Sequence, residues 1–188
     1  MTDADLALRL RRLEDREEIR TLVARYGQTV DDREIEELGE LFTTDGVMRS
    51  QDGVMNARSR AAIIEQFHGR FAVLGPSLHY THDHIVTLDD KDPDLAHGMI
   101  LSHAEVWRNG AALIAAIRYF DTYRREGGRW RFAERLLKFL YYVPVPEYAE
   151  ALGDRNRMRA YGDRHTRACG CDRRAPPRTR APARSRGT

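Results

Sequence analysis

Cysteine is nearly absent. The two that occur, Cys169 and Cys171, stand as Cys-Gly-Cys in the C-terminal tail. They cannot staple a domain that precedes them, and two thiolates are too few for a structural zinc site. They read as incidental thiols in a reducing compartment. No apolar run approaches the roughly twenty residues that a membrane-crossing helix needs. The opening Met-Thr-Asp-Ala-Asp is acidic and lacks the apolar centre of a secretory signal, so the expected location is the cytoplasm. There is no glycine-rich phosphate loop, no nucleophilic-serine elbow and no catalytic-cysteine motif, which disfavours nucleotide enzymes and covalent hydrolases. No internal repeat is visible. Beyond about Gly153 apolar residues almost vanish and Arg, Pro, Ala and Gly dominate. Such a stretch cannot offset its ordering entropy, so residues 154–188 are expected to be a disordered basic tail. A basic tail can attract nucleic acid electrostatically. No aromatic residue follows Tyr161, so a base-stacking platform is missing and no nucleic-acid partner is expected.

What remains is enough for one core. The chain has 188 residues, 41% of them hydrophobic, and residues 1–153 are expected to form a single domain. The net charge of +2 hides a balanced first half and a basic end. From about Leu6 to Val30 the pattern is helical: Ile19, Leu22, Val23, Tyr26 and Val30 form one apolar stripe. Asp31-Asp32 interrupts it, and a second helix carries Ile35, Leu38, Leu41 and Phe42. Thr43 to Gly46 reads as a turn, Val47 to Val54 as a short hairpin, and about Ser59 to Leu74 as a third helix burying Ile63, Phe67, Phe71 and Leu74. Strands follow. Asn109-Gly110 and Gly127-Gly128 are hairpin turns between long strands. Helices first and strands second imply an α+β architecture, with helices packed on one face of a curved, mostly antiparallel sheet.

The stretch that organises the chain is Pro76 to Leu88, Pro-Ser-Leu-His-Tyr-Thr-His-Asp-His-Ile-Val-Thr-Leu. It reads as a strand. Alternation puts His79, Thr81, Asp83 and Ile85 on one face and Tyr80, His82, His84 and Val86 on the other. So much polarity on one strand fits a sheet that lines a ligand-filled cavity. His82 and His84 are expected to be structural or at a subunit contact.

Leu13-Glu-Asp-Arg-Glu-Glu-Ile19, Leu22-Val-Ala-Arg-Tyr26, Val30-Asp-Asp-Arg and Leu41-Phe-Thr-Thr-Asp-Gly46 resemble the opening of the SnoaL-like family, within the nuclear-transport-factor-2-like (NTF2-like) superfamily. Tyr123 to Arg135 resembles its last hairpin, so the resemblance runs over roughly residues 8 to 162. It implies a cone-shaped α+β barrel around a pocket, of the type of scytalone dehydratase and the dehydrochlorinases. Those enzymes pair an aspartate on the first helical layer with a histidine on the strand after the third helix. Asp31 and His79 stand at the matching positions, and His103 resembles a second pocket histidine. Val30, Tyr119 and Ile117 replace a tyrosine, an asparagine and a serine of the dehydratase, so its substrate network is not reproduced.

An Asp–His pair suits proton abstraction: the carboxylate fixes the imidazole tautomer and leaves the other nitrogen as base. The alternative for Asp31 is to cap the second helix, with Glu34 completing a capping box. Tyr26 is a cavity donor or core; His103 either assists or bonds Glu105. One of Arg118 and Tyr119 must face inward, and Arg135 is expected to pair structurally. Candidate walls of the cavity are Leu22, Phe42, Phe67, Phe71 and Tyr119. Asp31, His79, Asp83 and His103 could ligate a metal, but the resemblance implies chemistry without metal or cofactor. Two functions stand: a cofactor-independent lyase or isomerase on a small apolar or cyclic substrate, or a non-catalytic binding or assembly module on the same fold. Phe139, Tyr141 and Tyr142 suggest a homodimer through the outer sheet face.

Overall fold

The structure is a computed structural model and describes residues 1–154; the expectations for the basic tail lie outside them. Helix α1 runs Asp3–Asp32. Thr2 starts it: its hydroxyl accepts from the Asp5 N–H, and the Asp5 carboxylate accepts from the Thr2 N–H, a capping box. The first turns are solvated. From Asp15 on, Ile19, Leu22, Val23, Tyr26 and Val30 are buried, as the stripe predicts. The helix ends on Arg33, whose φ of 62° is left-handed and whose N–H bonds the Thr29 carbonyl. That backbone costs an arginine about 1 kcal/mol, and its guanidinium offsets this by donating to the carbonyls of Phe71, Leu74 and Gly75.

Helix α2 (Ile35–Glu40) follows at once, then strands β1 (Phe42–Ser50) and β2 (Asn56–Arg58), and helix α3 (Arg60–Phe71) with Ser59 as its cap. Four long strands complete the domain: β3 (Leu74–Leu88), β4 (Leu95–Arg108), β5 (Ala111–Glu126) and β6 (Arg129–Pro144). A short helix α4 (Tyr148–Gly153) closes the described chain and covers Tyr141 with Tyr148. The sheet has six strands in the order β2-β1-β6-β5-β4-β3. It is mixed and unclosed: β1 runs parallel to β6 and every other pairing is antiparallel. The turns at Asn109-Gly110 and Gly127-Gly128 all have positive φ, as hairpins between twisted strands require. No helix among the described residues is long and apolar enough to cross a membrane.

Register shifts bend this sheet around α1. They fall between Leu74 and Ser77 and between Thr81 and His84 on β3, between Phe42 and Val47 on β1, and at two points of the β5–β6 ladder. Extra residues on one strand sharpen its twist. Thr43 to Gly46, expected as a turn, is therefore an irregular stretch inside β1. The concave face carries the core, with Phe42, Phe132, Tyr119, Tyr123 and Ile100 packed under α1 and α3.

Candidate active site

Asp31 lies in the last turn of α1 and does not cap α2; the capping residue there is Glu34, with no side-chain bond. Its carboxylate turns to β3. Oδ1 is 2.6 Å from His79 Nδ1 and accepts from the Ser77 hydroxyl at 3.0 Å, while Oδ2 accepts from the His79 N–H at 2.7 Å. The side chains of His79 and Asp31 are only 15% and 17% exposed. Burial raises the Asp31 pKa, but the His79 ring and N–H and the Ser77 hydroxyl outweigh it and hold the carboxyl below its usual value. An ionised carboxylate only accepts, so the short contact requires the imidazole proton on Nδ1. In a neutral ring Nε2 then keeps its lone pair.

His79 and Ser77 line a cavity between α1, α3 and the concave sheet face, walled by Tyr26, Val30, Met48, Met55, Phe67, Phe71, Tyr119, Phe139 and Tyr142. It is narrow, with a volume of about 40 Å³. Tyr26 is expected as donor or core, and it lines the cavity while 4% exposed. Burial raises the pKa of both Tyr26 and Tyr119, so both hydroxyls keep their protons. Tyr119 is the inward residue of its pair and Arg118 is exposed.

Next to these tyrosines lies a charged core. Arg135 is fully buried and bonds Asp121 through Nε at 3.0 Å and Nη2 at 2.7 Å. Its guanidinium carbon sits 4.1, 4.4 and 4.0 Å from the ring centres of Tyr26, Tyr119 and Phe132, cation–π distances. Burial works against the charge, but Asp121 outweighs it and Arg135 stays ionised. The Tyr123 hydroxyl donates to Asp121 at 2.9 Å and lies 3.1 Å from His84 Nε2. A Cβ on Gly98 would come within 2.7 Å of that hydroxyl and 3.0 Å of that nitrogen, so the glycine keeps the contact open.

Several expected positions are corrected. His103 is not in the cavity. The register pairs His79 with Ala104 and His103 with Tyr80, so His103 points outward, exposed, with Nδ1 2.9 Å from His82 Nε2. His84, expected on the face opposite His79 and structural or at a subunit contact, is turned inward because the irregularity after Thr81 reverses the alternation, and it packs structurally against the Tyr123 hydroxyl; Asp83 is exposed. Phe42 is fully buried against Tyr26 and Phe132 rather than at the cavity wall. Leu22 belongs to a surface groove with Leu41 and Trp130. Phe139 and Tyr142 stack on each other in the cavity wall, so they are not the outer-face aromatics suggested for a dimer. Among the described residues no three His, Cys, Asp or Glu side chains converge as a metal site. Ser77, Met55 and Arg70 are among the cavity residues that escaped sequence reasoning. Arg70 had a signal, since it falls seven residues after Ile63 on the apolar face of α3.

The model of the SnoaL-like domain matches residues 11–136. No curated protein matches the sequence. Among solved structures, an NTF2-like protein with a cystatin-like fold from Novosphingobium aromaticivorans is 34% identical, with a TM-score of 0.62 over 74% of this chain and 90% of that one. A candidate scytalone dehydratase from the same organism is 20% identical, TM-score 0.65, over 72% and 90%. The hexachlorocyclohexane dehydrochlorinase LinA-type3 from Novosphingobium barchaimii is 19% identical, TM-score 0.64, over 72% and 93%. The last two likenesses are likenesses of fold.

Proposed function

The chain belongs to the SnoaL-like domain family, and from that premise we propose that it is a cytoplasmic, cofactor-independent lyase or isomerase that moves a proton on a small, largely apolar or cyclic substrate. The observation that carries this reading is the 2.6 Å contact of Asp31 Oδ1 with His79 Nδ1 at the wall of an apolar cavity. Asp31 orients the ring and stabilises the imidazolium that forms when Nε2 takes a proton from carbon. The narrow cavity keeps water away, which strengthens that stabilisation. Tyr26 and Tyr119 supply hydroxyl donors for a carbonyl or a departing oxygen, and Phe67 and Phe71 shape the apolar wall. His103 has no part in this scheme. Solved structures of dehydratase and dehydrochlorinase type lend support at the level of fold.

The test has two steps. A thermal-shift screen of cyclic ketones, steroids, terpenoids and polyketide fragments finds binders. Deuterium uptake from heavy water into each binder is then followed by NMR. The wild-type chain should catalyse uptake, and His79→Ala should slow it by about 10²- to 10⁴-fold with the fold intact. Asp31→Asn should cost less, because it keeps the shape. Binding with no uptake and no turnover in the wild type would favour the non-catalytic binding module.

A further inference from the structure

Several arginines packed into this fold have carboxylate or carbonyl partners. Arg60 meets Glu40, Glu126 and the Phe42 carbonyl. Arg125 meets Asp15 and Asp94. Arg131 lies against Glu40 and Glu126, and Arg135 is forked on Asp121. Arg70 differs. It is half-buried and lines the same cavity as His79. Among the described residues its guanidinium makes one hydrogen bond, from Nη1 to the Met55 sulfur at 3.1 Å. A thioether is a weak acceptor, so most of the donor capacity of Arg70 is left to whatever enters. Burial raises the Tyr26 pKa, and the charges of Arg135 and Arg70 lower it. The C-terminal dipole of α3 accounts for a cation at this point of the helix. It does not account for the lack of an oxygen partner.

We propose that the cavity takes a small monocarboxylate with an apolar body, its carboxylate forked on Arg70 and its body reaching toward His79. Arg presents paired N–H groups that match a planar carboxylate. A single negative charge balances Arg70, whereas a phosphate would bring a second charge into a cavity that already holds Asp31. The rest of the wall is aromatic and aliphatic, so the remainder of the ligand is uncharged. This rests on the reading of the His79 cavity as the substrate site, and makes Arg70 its specificity-determining residue.

The probes are cyclohexanecarboxylate and benzoate, each against its neutral carboxamide, titrated into the full chain by NMR. Each acid should bind about tenfold or more tighter than its amide. Arg70→Met should remove that preference, weakening the acid more than the amide. Arg70→Gln should do the same, and serves if the methionine variant does not fold. His79→Ala should keep the preference. Equal affinity of acid and amide in the wild type, failure of both acids to bind, or a preference that survives loss of Arg70 overturns the proposal. Acid binding that depends on Arg70, without proton exchange into any ligand, would retain it and sink the lyase or isomerase reading instead.

Discussion

His84 is held neutral by burial, with the charges of Arg135 and Arg20 adding to it, and its pKa falls from 6.5 to about 4. The unfolded chain therefore binds a proton before the folded one does. The contribution is fully present above pH 6.5 and is lost as pH falls from 6.5 to about 4. We expect a loss on the order of 2 kcal/mol over that window after discounting for partial solvent access. His84→Gln should flatten the slope in urea unfolding series at several pH values; an unchanged slope would remove His84 as its cause. Asp31 acts further into acid. Its pKa is depressed, so its contribution stands above its unfolded value of 3.8 and fades as pH falls through the lower folded one. Asp121→Asn leaves a fully buried guanidinium without its carboxylate and should cost about 3–5 kcal/mol. Chemical denaturation measures this, and a change near zero would show that water reaches Arg135. Asp31 and His79 were legible because their order and spacing follow a known pattern. His103 and His84 were misplaced because strand alternation assumes a regular ladder, and a bulge reverses it without leaving a strong mark in sequence. Arg70 stood in plain view on the apolar face of α3, but a lone cation in such a stripe usually snorkels outward.

At the scale of elements, the link between α1, α3 and β3 positions the site. Arg33 ties the end of α1 to the carbonyls of Phe71, Leu74 and Gly75, and its guanidinium carbon lies 5.0 Å from the Phe71 ring centre. Arg33→Ala should cost about 1–3 kcal/mol and raise hydrogen exchange at residues 72–75 while the centre of β6 stays protected. Uniform exchange across the sheet would show that this link does not hold the loop locally. The helices and the two hairpins were readable from their stripes and their glycine turns. The first half of β1 was not, since Thr43 to Gly46 has the composition of a turn and joins the ladder through an irregular stretch, while its second half pairs with β2 as the hairpin expected there. The parallel pairing of β1 with β6 joins segments too far apart in sequence for a local pattern to reveal it.

At the scale of the molecule, helices close the concave side and leave the outer sheet face open. Leu78, Tyr80, Ile85, Trp107 and Phe120 lie there, each more than a third exposed, and a second copy of the chain would cover them. Light scattering at micromolar concentration should give a dimeric mass, and Tyr80→Glu with Trp107→Glu should give the monomer; a monomeric wild type would refute this association. We propose that the core formed within residues 1–154 does not need the basic tail, so deleting residues 155–188 should leave the melting temperature nearly unchanged, and a large drop would show that the tail contributes to the fold. The account as a whole depends on where the proton of one imidazole sits. Nitrogen-15 NMR of the His79 ring in the full chain, at about pH 8 where an ordinary imidazole is neutral, reads this without any substrate. The protonated nitrogen should be Nδ1, with Nε2 bare toward the cavity, and Asp31→Asn should weaken that preference. A proton found on Nε2, or a ring averaging freely between tautomers, would contradict the proton-transfer account.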